Sequence, residues 1–226
     1  MTLVRAMRSL RRGHRPVRFG SLRSTRPLSG AWGYDRGTPV DRWYIDRFLG
    51  EHRADVTGRV LEVKDSGYTR RFGHDVTEEG VLDVDAANGR ATYVADLADG
   101  EGLPSDAFDC FILTQTLQYV YDVPAALRQA RRVLRPGGVL LATVPSASRV
   151  TDPPATDYWR FTPPGLARLL AEAFGPGATT VQARGNVLAT VAFLEGLAAE
   201  DLERSELSDD DERLPLIVCA RAVRGA

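Results

Sequence analysis

The chain has 226 residues, 43% of them hydrophobic and 26% charged, with a formal net charge of -1. That length suits one domain with decorated ends, able to bury roughly 70% of its extended surface without help from a disulfide or a metal. The near-neutral balance excludes a protein that coats nucleic acid across its whole surface. No apolar run approaches the roughly 20 residues of a membrane span, so no membrane partner is expected.

The two cysteines, Cys110 and Cys219, each sit inside an apolar run and read as buried free thiols. His14, His52 and His74 are not spaced with one another or with a cysteine as metal ligands would be, so no metal is expected. The amino terminus lacks the apolar core of a secretory signal, and a cytoplasmic, reduced protein is the expectation.

Residues 1–30 carry Arg5, Arg8, Arg11, Arg12, Arg15, Arg18, Arg23 and Arg26 and no acid, which reads as a basic arm ahead of a domain over 31–226. In Pro39–Gly50 the apolar residues at 40, 44, 45, 48 and 49 give a helical period closed by glycine. Short apolar strands follow at Arg59–Val63, Gly80–Asp85 and Ala91–Asp96. Phe108–Thr114 is a continuous apolar run of the kind used by doubly covered parallel sheets. A helix over Ala125–Leu134 ends at Arg135-Pro-Gly-Gly138, read as a stop, and Val139–Val144 is the fifth strand. Beyond it come a helix at Pro163–Phe174, a strand at Thr180–Ala183, a helix at Val187–Ala199 and a last strand at Leu216–Val223. The alternation predicts an α/β, Rossmann-like, doubly wound and mainly parallel seven-stranded sheet with helices on both faces. The acidic run Asp209–Glu212 reads as a solvated loop. Its pairing with the basic arm, within or between subunits, leaves a homo-oligomer open.

In such a sheet, ligands bind outside the carboxyl ends of the strands. Glu62 lies near the end of the first strand and is followed by Lys64-Asp-Ser-Gly-Tyr68; Asp85 is read as ending the second, Asp96-Leu97 the third and Thr114-Gln115 the fourth. Each acid read singly is a cap or turn former. Their order, acid, acid, Asp-Leu and polar pair, suits a nucleoside ligand. The dinucleotide fingerprint Gly-x-Gly-x-x-Gly is absent, which argues against a nicotinamide enzyme.

The block Phe108-Asp-Cys-Phe-Ile-Leu-Thr-Gln-Thr-Leu-Gln-Tyr-Val120, followed by Ala125 to Pro145 with its Leu-Arg-Pro-Gly-Gly turn, resembles the class I S-adenosylmethionine-dependent methyltransferases. Trp32–Pro39 and Asp157–Pro163 also resemble methyltransferases of a glycosyltransferase-associated group, which implies a small-molecule or saccharide acceptor. The resemblance implies S-adenosylmethionine as cofactor, Asp85 on the ribose, Asp96 and Leu97 at the adenine, Glu62 near the amino group, and Thr114 and Gln115 beside the methyl group. Asp65, Ser66 and Gly67 stand in the loop facing the amino-acid end, and Lys64 can pair with its carboxylate. The family has Gly-x-Gly-x-Gly where this chain has Lys64–Tyr68, so bulk is expected where glycines let backbone approach the ligand.

A hydroxyl acceptor needs a base, for which His74 and Asp157 are the candidates. Tyr119, Tyr158, Trp159 and Arg160 are candidate acceptor contacts, and the helix around Trp43 and Tyr44 is expected to lid the site. The reading is therefore an O-methyltransferase. Its rivals are the same fold running other chemistry, or a non-catalytic partner of a biosynthetic enzyme.

Overall fold

The structure is a computed structural model that describes residues 20–151 and 156–226; the expected basic arm falls outside it over residues 1–19. Seven strands, β1 (Gly58–Val63), β2 (Val76–Asp83), β3 (Tyr93–Val94), β4 (Phe108–Thr114), β5 (Leu134–Pro145), β6 (Thr179–Arg184) and β7 (Ile217–Val223), form one sheet in the order β3-β2-β1-β4-β5-β7-β6. Strands β1 to β5 are mutually parallel. β7 runs antiparallel between β5 and β6. The helices are α1 (Val40–Glu51), α2 (Gly67–Phe72), α3 (Val123–Val133), α4 (Pro163–Phe174), α5 (Val187–Glu195) and α6 (Arg204–Ser208). This is the Rossmann-like doubly wound α/β fold.

The apolar run of β4 shows why the sheet is covered twice. Phe111 and Leu113 enter a core with α3 and α4, while Cys110 and Ile112 enter a second core with α1 and α5. β5 divides likewise: Leu140, Ala142 and Val144 face one layer, Val139 and Leu141 the other. Side chains alternate across a strand, so a run buried on both faces must be apolar throughout. The helices start on side-chain caps. Asp122 accepts from Ala125 N at 2.9 Å ahead of α3, and Asn186 accepts from Ala189 N at 3.0 Å ahead of α5.

Several boundaries differ from the sequence pattern. β2 begins at Val76 rather than Gly80 and ends at Asp83 rather than Asp85, and β3 shrinks to two residues. α5 stops at Glu195, where Gly196 turns left-handed at φ 75. Arg135-Pro-Gly-Gly138 is no break before β5 but part of it, a bulge across which the register to β4 jumps from Phe108↔Leu134 to Cys110↔Val139.

The chain before α1 is a strap on the carboxyl side of α5. Ser29 N donates to Glu195 O at 3.0 Å, Trp32 packs on Phe193, Arg36 pairs with Asp201 and Pro39 bridges Ala198. The acidic run is not wholly solvated: Asp210 pairs with Arg184 at 3.0 Å and accepts from Gly185 N at 2.8 Å. Glu51 also pairs with Arg184, so α1, β6 and this loop share one ionic knot.

Candidate active site

The strand order reverses direction between β1 and β4, and the crevice opens there, beyond their carboxyl ends. At the end of β1, Glu62 is 1% exposed and both its oxygens are engaged. Oε1 accepts from Tyr68 N at 3.0 Å; Oε2 accepts from Thr69 N and Thr69 Oγ1, each at 2.7 Å. Glu62 thus fastens the start of α2 under the loop. Burial pushes its carboxyl up to about 7, against the pull of the Thr69 and Tyr68 donors.

The loop that replaces the glycine pattern keeps the glycine path at its first position. Lys64 lies at φ 73, in the left-handed region, and its side chain is exposed. Asp65 Oδ1 accepts from Gly67 N at 2.8 Å, and Ser66 is buried beneath. Tyr68 turns toward α1, with its hydroxyl against Arg42. Its ring stacks on Phe72 at 6.3 Å and packs into the core shared with α1.

Asp83, not Asp85, is the carboxylate at the end of β2. It is half-buried; Oδ1 accepts from Asp85 N at 3.0 Å and Oδ2 from Asn88 Nδ2 at 2.7 Å. Asn88 Nδ2 also donates to Lys64 O at 2.8 Å, which ties the first loop to the second. Asp85 stands two residues further on, exposed, with Oδ1 taking Ala87 N at 2.8 Å. The side-chain alternation of a strand ended two residues early accounts for the shift. Asp96 follows β3 and accepts from Ala98 N at 2.8 Å, while Leu97 is buried beside it. Thr114 closes β4, and Gln115 sits at φ 46 with Nε2 buried and unpartnered.

Next to Gln115 lies a cavity of about 240 Å³. Its walls include Trp32, Asp41, Arg42, Gln118, Asp157 and Arg160. Tyr119 lines it from the β4 side. Tyr158 and Trp159 are 45% and 40% exposed at its rim, tied down by Tyr158 N donating to Gln118 O at 2.8 Å and Trp159 Nε1 to Val120 O at 3.1 Å. Tyr121 joins them, its ring 5.4 Å from that of Tyr158 and 6.0 Å from that of Trp159.

The two candidate bases fare differently. His74 is excluded by topology: its N–H donates to Val56 O at 3.0 Å, before β1, and it precedes β2. That is the amino end of the sheet, roughly 16 Å of strand from the crevice. Asp157 reaches the cavity, but its oxygens are taken by Arg160 at 2.6 and 3.0 Å and by Thr151 N at 3.0 Å. The Arg160 guanidinium holds its carboxyl below the usual range, which makes it a weak base and a firm brace. Asp41, Arg42 and Gln118 were not legible as site residues from motifs. Asp41 had a signal nonetheless: it shares a helical face with Tyr44, Ile45 and Phe48, an acid in an apolar stripe.

Residues 56–142 match the family described as a methyltransferase domain. The chain is 31% identical over 125 residues to the ubiquinone/menaquinone biosynthesis C-methyltransferase of Hydrogenovibrio crunogenus, covering 53% of this chain and 46% of that protein. It is 31% identical over 141 residues to the malonyl-[acyl-carrier protein] O-methyltransferase of Serratia marcescens, covering 58% of this chain and 54% of that one. The chain thus spans about half the length of the curated relatives it matches. In fold it is similar to phosphoethanolamine N-methyltransferase 2 of Haemonchus contortus, solved with S-adenosyl-L-methionine, at a TM-score of 0.56 and 13% identity over 81% of this chain and 53% of that one. A seven-stranded sheet with this strand order, carboxylates at successive strand ends and a methyltransferase-domain match over residues 56–142 together make the chain similar to the class I S-adenosylmethionine-dependent methyltransferases.

Proposed function

We propose that this chain transfers a methyl group from S-adenosylmethionine to a hydroxyl oxygen of a small molecule, with a saccharide unit among the fitting acceptors. The observation that carries the reading is the sequence of strand ends: carboxylates close β2 and follow β3, and Gln115, just past the end of β4, lines a partly polar cavity.

The cofactor supplies a methyl carbon already activated by its positive sulfur. Asp83, with Asp85 beside it, is assigned to the ribose hydroxyls, Asp96 and Leu97 to the adenine, and Lys64 with Ser66 to the amino-acid end. Glu62 acts by holding the loop. Gln115 and Thr114 border the transferred group, and Asp157 with Arg160 stiffens the acceptor wall. The protein's share of the chemistry is to align an acceptor lone pair with that carbon and to keep water out. The cavity is smaller than the roughly 300–1,000 Å³ that takes drug-sized ligands, so it suits one ring-sized group. The exposed faces of Tyr158 and Trp159 continue outward from it and suit the flat side of a further ring.

Calorimetric titration with S-adenosylmethionine and S-adenosylhomocysteine tests the reading. Micromolar binding of both is the expected result. No heat at millimolar ligand would remove methyl transfer and leave only the fold.

A further inference from the structure

The acceptor cavity holds hydrogen-bonding capacity that the protein leaves unused. Asp41 is 8% exposed; its carboxyl takes the backbone N–H groups of Arg42 and of Asp41 itself at the start of α1, and its nearest cation, Arg42 Nε, stands 3.9 Å away. Gln118 is 4% exposed; its Nε2 donates to Gln115 O at 2.9 Å, while Oε1 has no partner. Gln115 Nε2 is buried and equally unpaired. All three residues line the same cavity. An unmet buried polar group costs about 1–3 kcal/mol, so two such atoms beside a buried carboxylate in one cavity point to a ligand rather than to packing alone. Asp157, the other lining carboxylate among the described residues, is filled by Arg160 and Thr151.

We infer that Asp41 is the proton acceptor for a vicinal diol held in this cavity, with Gln118 Oε1 accepting from the neighbouring hydroxyl and Gln115 Nε2 donating to a diol oxygen. One acceptor pair and one donor match two adjacent hydroxyls, each of which both donates and accepts. The inference rests on the methyl-transfer reading. In the step, a lone pair of the first hydroxyl oxygen forms the bond to the methyl carbon. The carbon–sulfur bond breaks with its electron pair left on sulfur, and the O–H proton passes to an Asp41 oxygen. The positive sulfonium and the negative carboxylate are both discharged. Loss of water on burial raises the Asp41 carboxyl, with Arg42 pulling it back, which is the direction a base working near neutral pH requires.

The test uses the full chain loaded with S-adenosylhomocysteine and titrated with catechol, with methyl α-D-glucopyranoside and, as a single-hydroxyl control, with phenol. At least one diol is expected to bind, at least about tenfold more tightly than phenol, the scale of one additional hydrogen bond. In Asp41→Asn that advantage is lost while affinity for S-adenosylhomocysteine and the melting temperature hold. Transfer of a labelled methyl group to the diol that binds falls by about 100-fold or more in the same variant. Which diol binds distinguishes a phenolic from a saccharide acceptor. Binding of neither diol, phenol binding as well as either, a bound diol that accepts no methyl, or Asp41→Asn transferring at the wild-type rate overturns the inference. A wild-type protein that does not bind S-adenosylhomocysteine overturns the methyl-transfer reading itself, a separate and earlier failure.

Discussion

Glu62 and Asp83 show how differently two strand-end carboxylates are used. Glu62 sits under the loop, desolvated, and its carboxyl is raised from an ordinary 4.5 to about 7. A raised carboxyl binds its proton more tightly folded than unfolded. Its favourable contribution is therefore complete below pH 4.5 and is lost as pH rises through about 7. The loss amounts to about 3 kcal/mol over that interval. Urea unfolding at pH 5 and pH 7.5 is expected to show this decline in the wild type, and Glu62→Gln to flatten it. Asp83 is half-buried, with one donor on each oxygen. Asp83→Ala is expected to weaken S-adenosylhomocysteine binding by about 1.5–3 kcal/mol, the worth of hydrogen bonds to a charged group. Asp85→Ala should cost clearly less in the same calorimetry, and the reverse order would return the ribose to Asp85. Sequence spacing took Asp85 as the end of the second strand, whereas the strand ends at Asp83, because two aspartates with one residue between them fit a strand end equally well. Only the register Val63↔Leu82 decides where the ladder stops.

The elements whose apolar period is buried on both faces were readable residue by residue. β4 was read as Phe108–Thr114 and is found there. β2 was not, because its first half, Val76-Thr-Glu-Glu79, lies beyond the two residues covered by β3 and is largely exposed. A strand edge in water carries no hydrophobic signature. The bulge at the start of β5 is the second element whose pattern misled. Pro and Gly there do not end a helix into a loop; they let the chain pass against its neighbour. A Cβ on Gly138 would stand 2.9 Å from both Phe108 O and Arg135 O. Neither backbone oxygen can yield cheaply. Gly138→Ala is accordingly expected to destabilise by about 2 kcal/mol, read as a lower urea midpoint with unchanged slope. An unaltered midpoint would mean that the bulge is free to shift.

Across the whole molecule, the sheet and its two covering layers followed from composition and period, whereas the acceptor cavity did not. It is assembled from pieces distant in sequence: Trp32 and Asp41 from the strap and α1, Gln118 after β4, Arg160 before α4. No local pattern announces such a meeting. The cysteines were easier, each in the middle of an apolar strand. Cys110 and Cys219 are both fully buried, and burial drives both thiols well above their ordinary range. A thiol reagent is expected to label neither in the native protein and both after denaturation. Fast labelling of either in native buffer would show that the sheet opens.

The strap that runs from Ser29 to Pro39 and is fastened to α5 and the segment after it has a consequence for inheritance. The matched stretch, 56–142, contains the ends of β1 to β4 and so the residues proposed to hold the nucleoside. Trp32, Asp41 and Arg42 precede it, and Asp157, Arg160 and Phe193 follow it. On the proposed reading, the residues assigned to the methyl donor lie within the matched stretch, while the acceptor wall is written mostly outside it, with Gln115, Gln118 and Tyr119 as the overlap. A lineage can rewrite the flanking passages while leaving the matched stretch untouched, and kinship measured on that stretch reports only a small part of the acceptor wall.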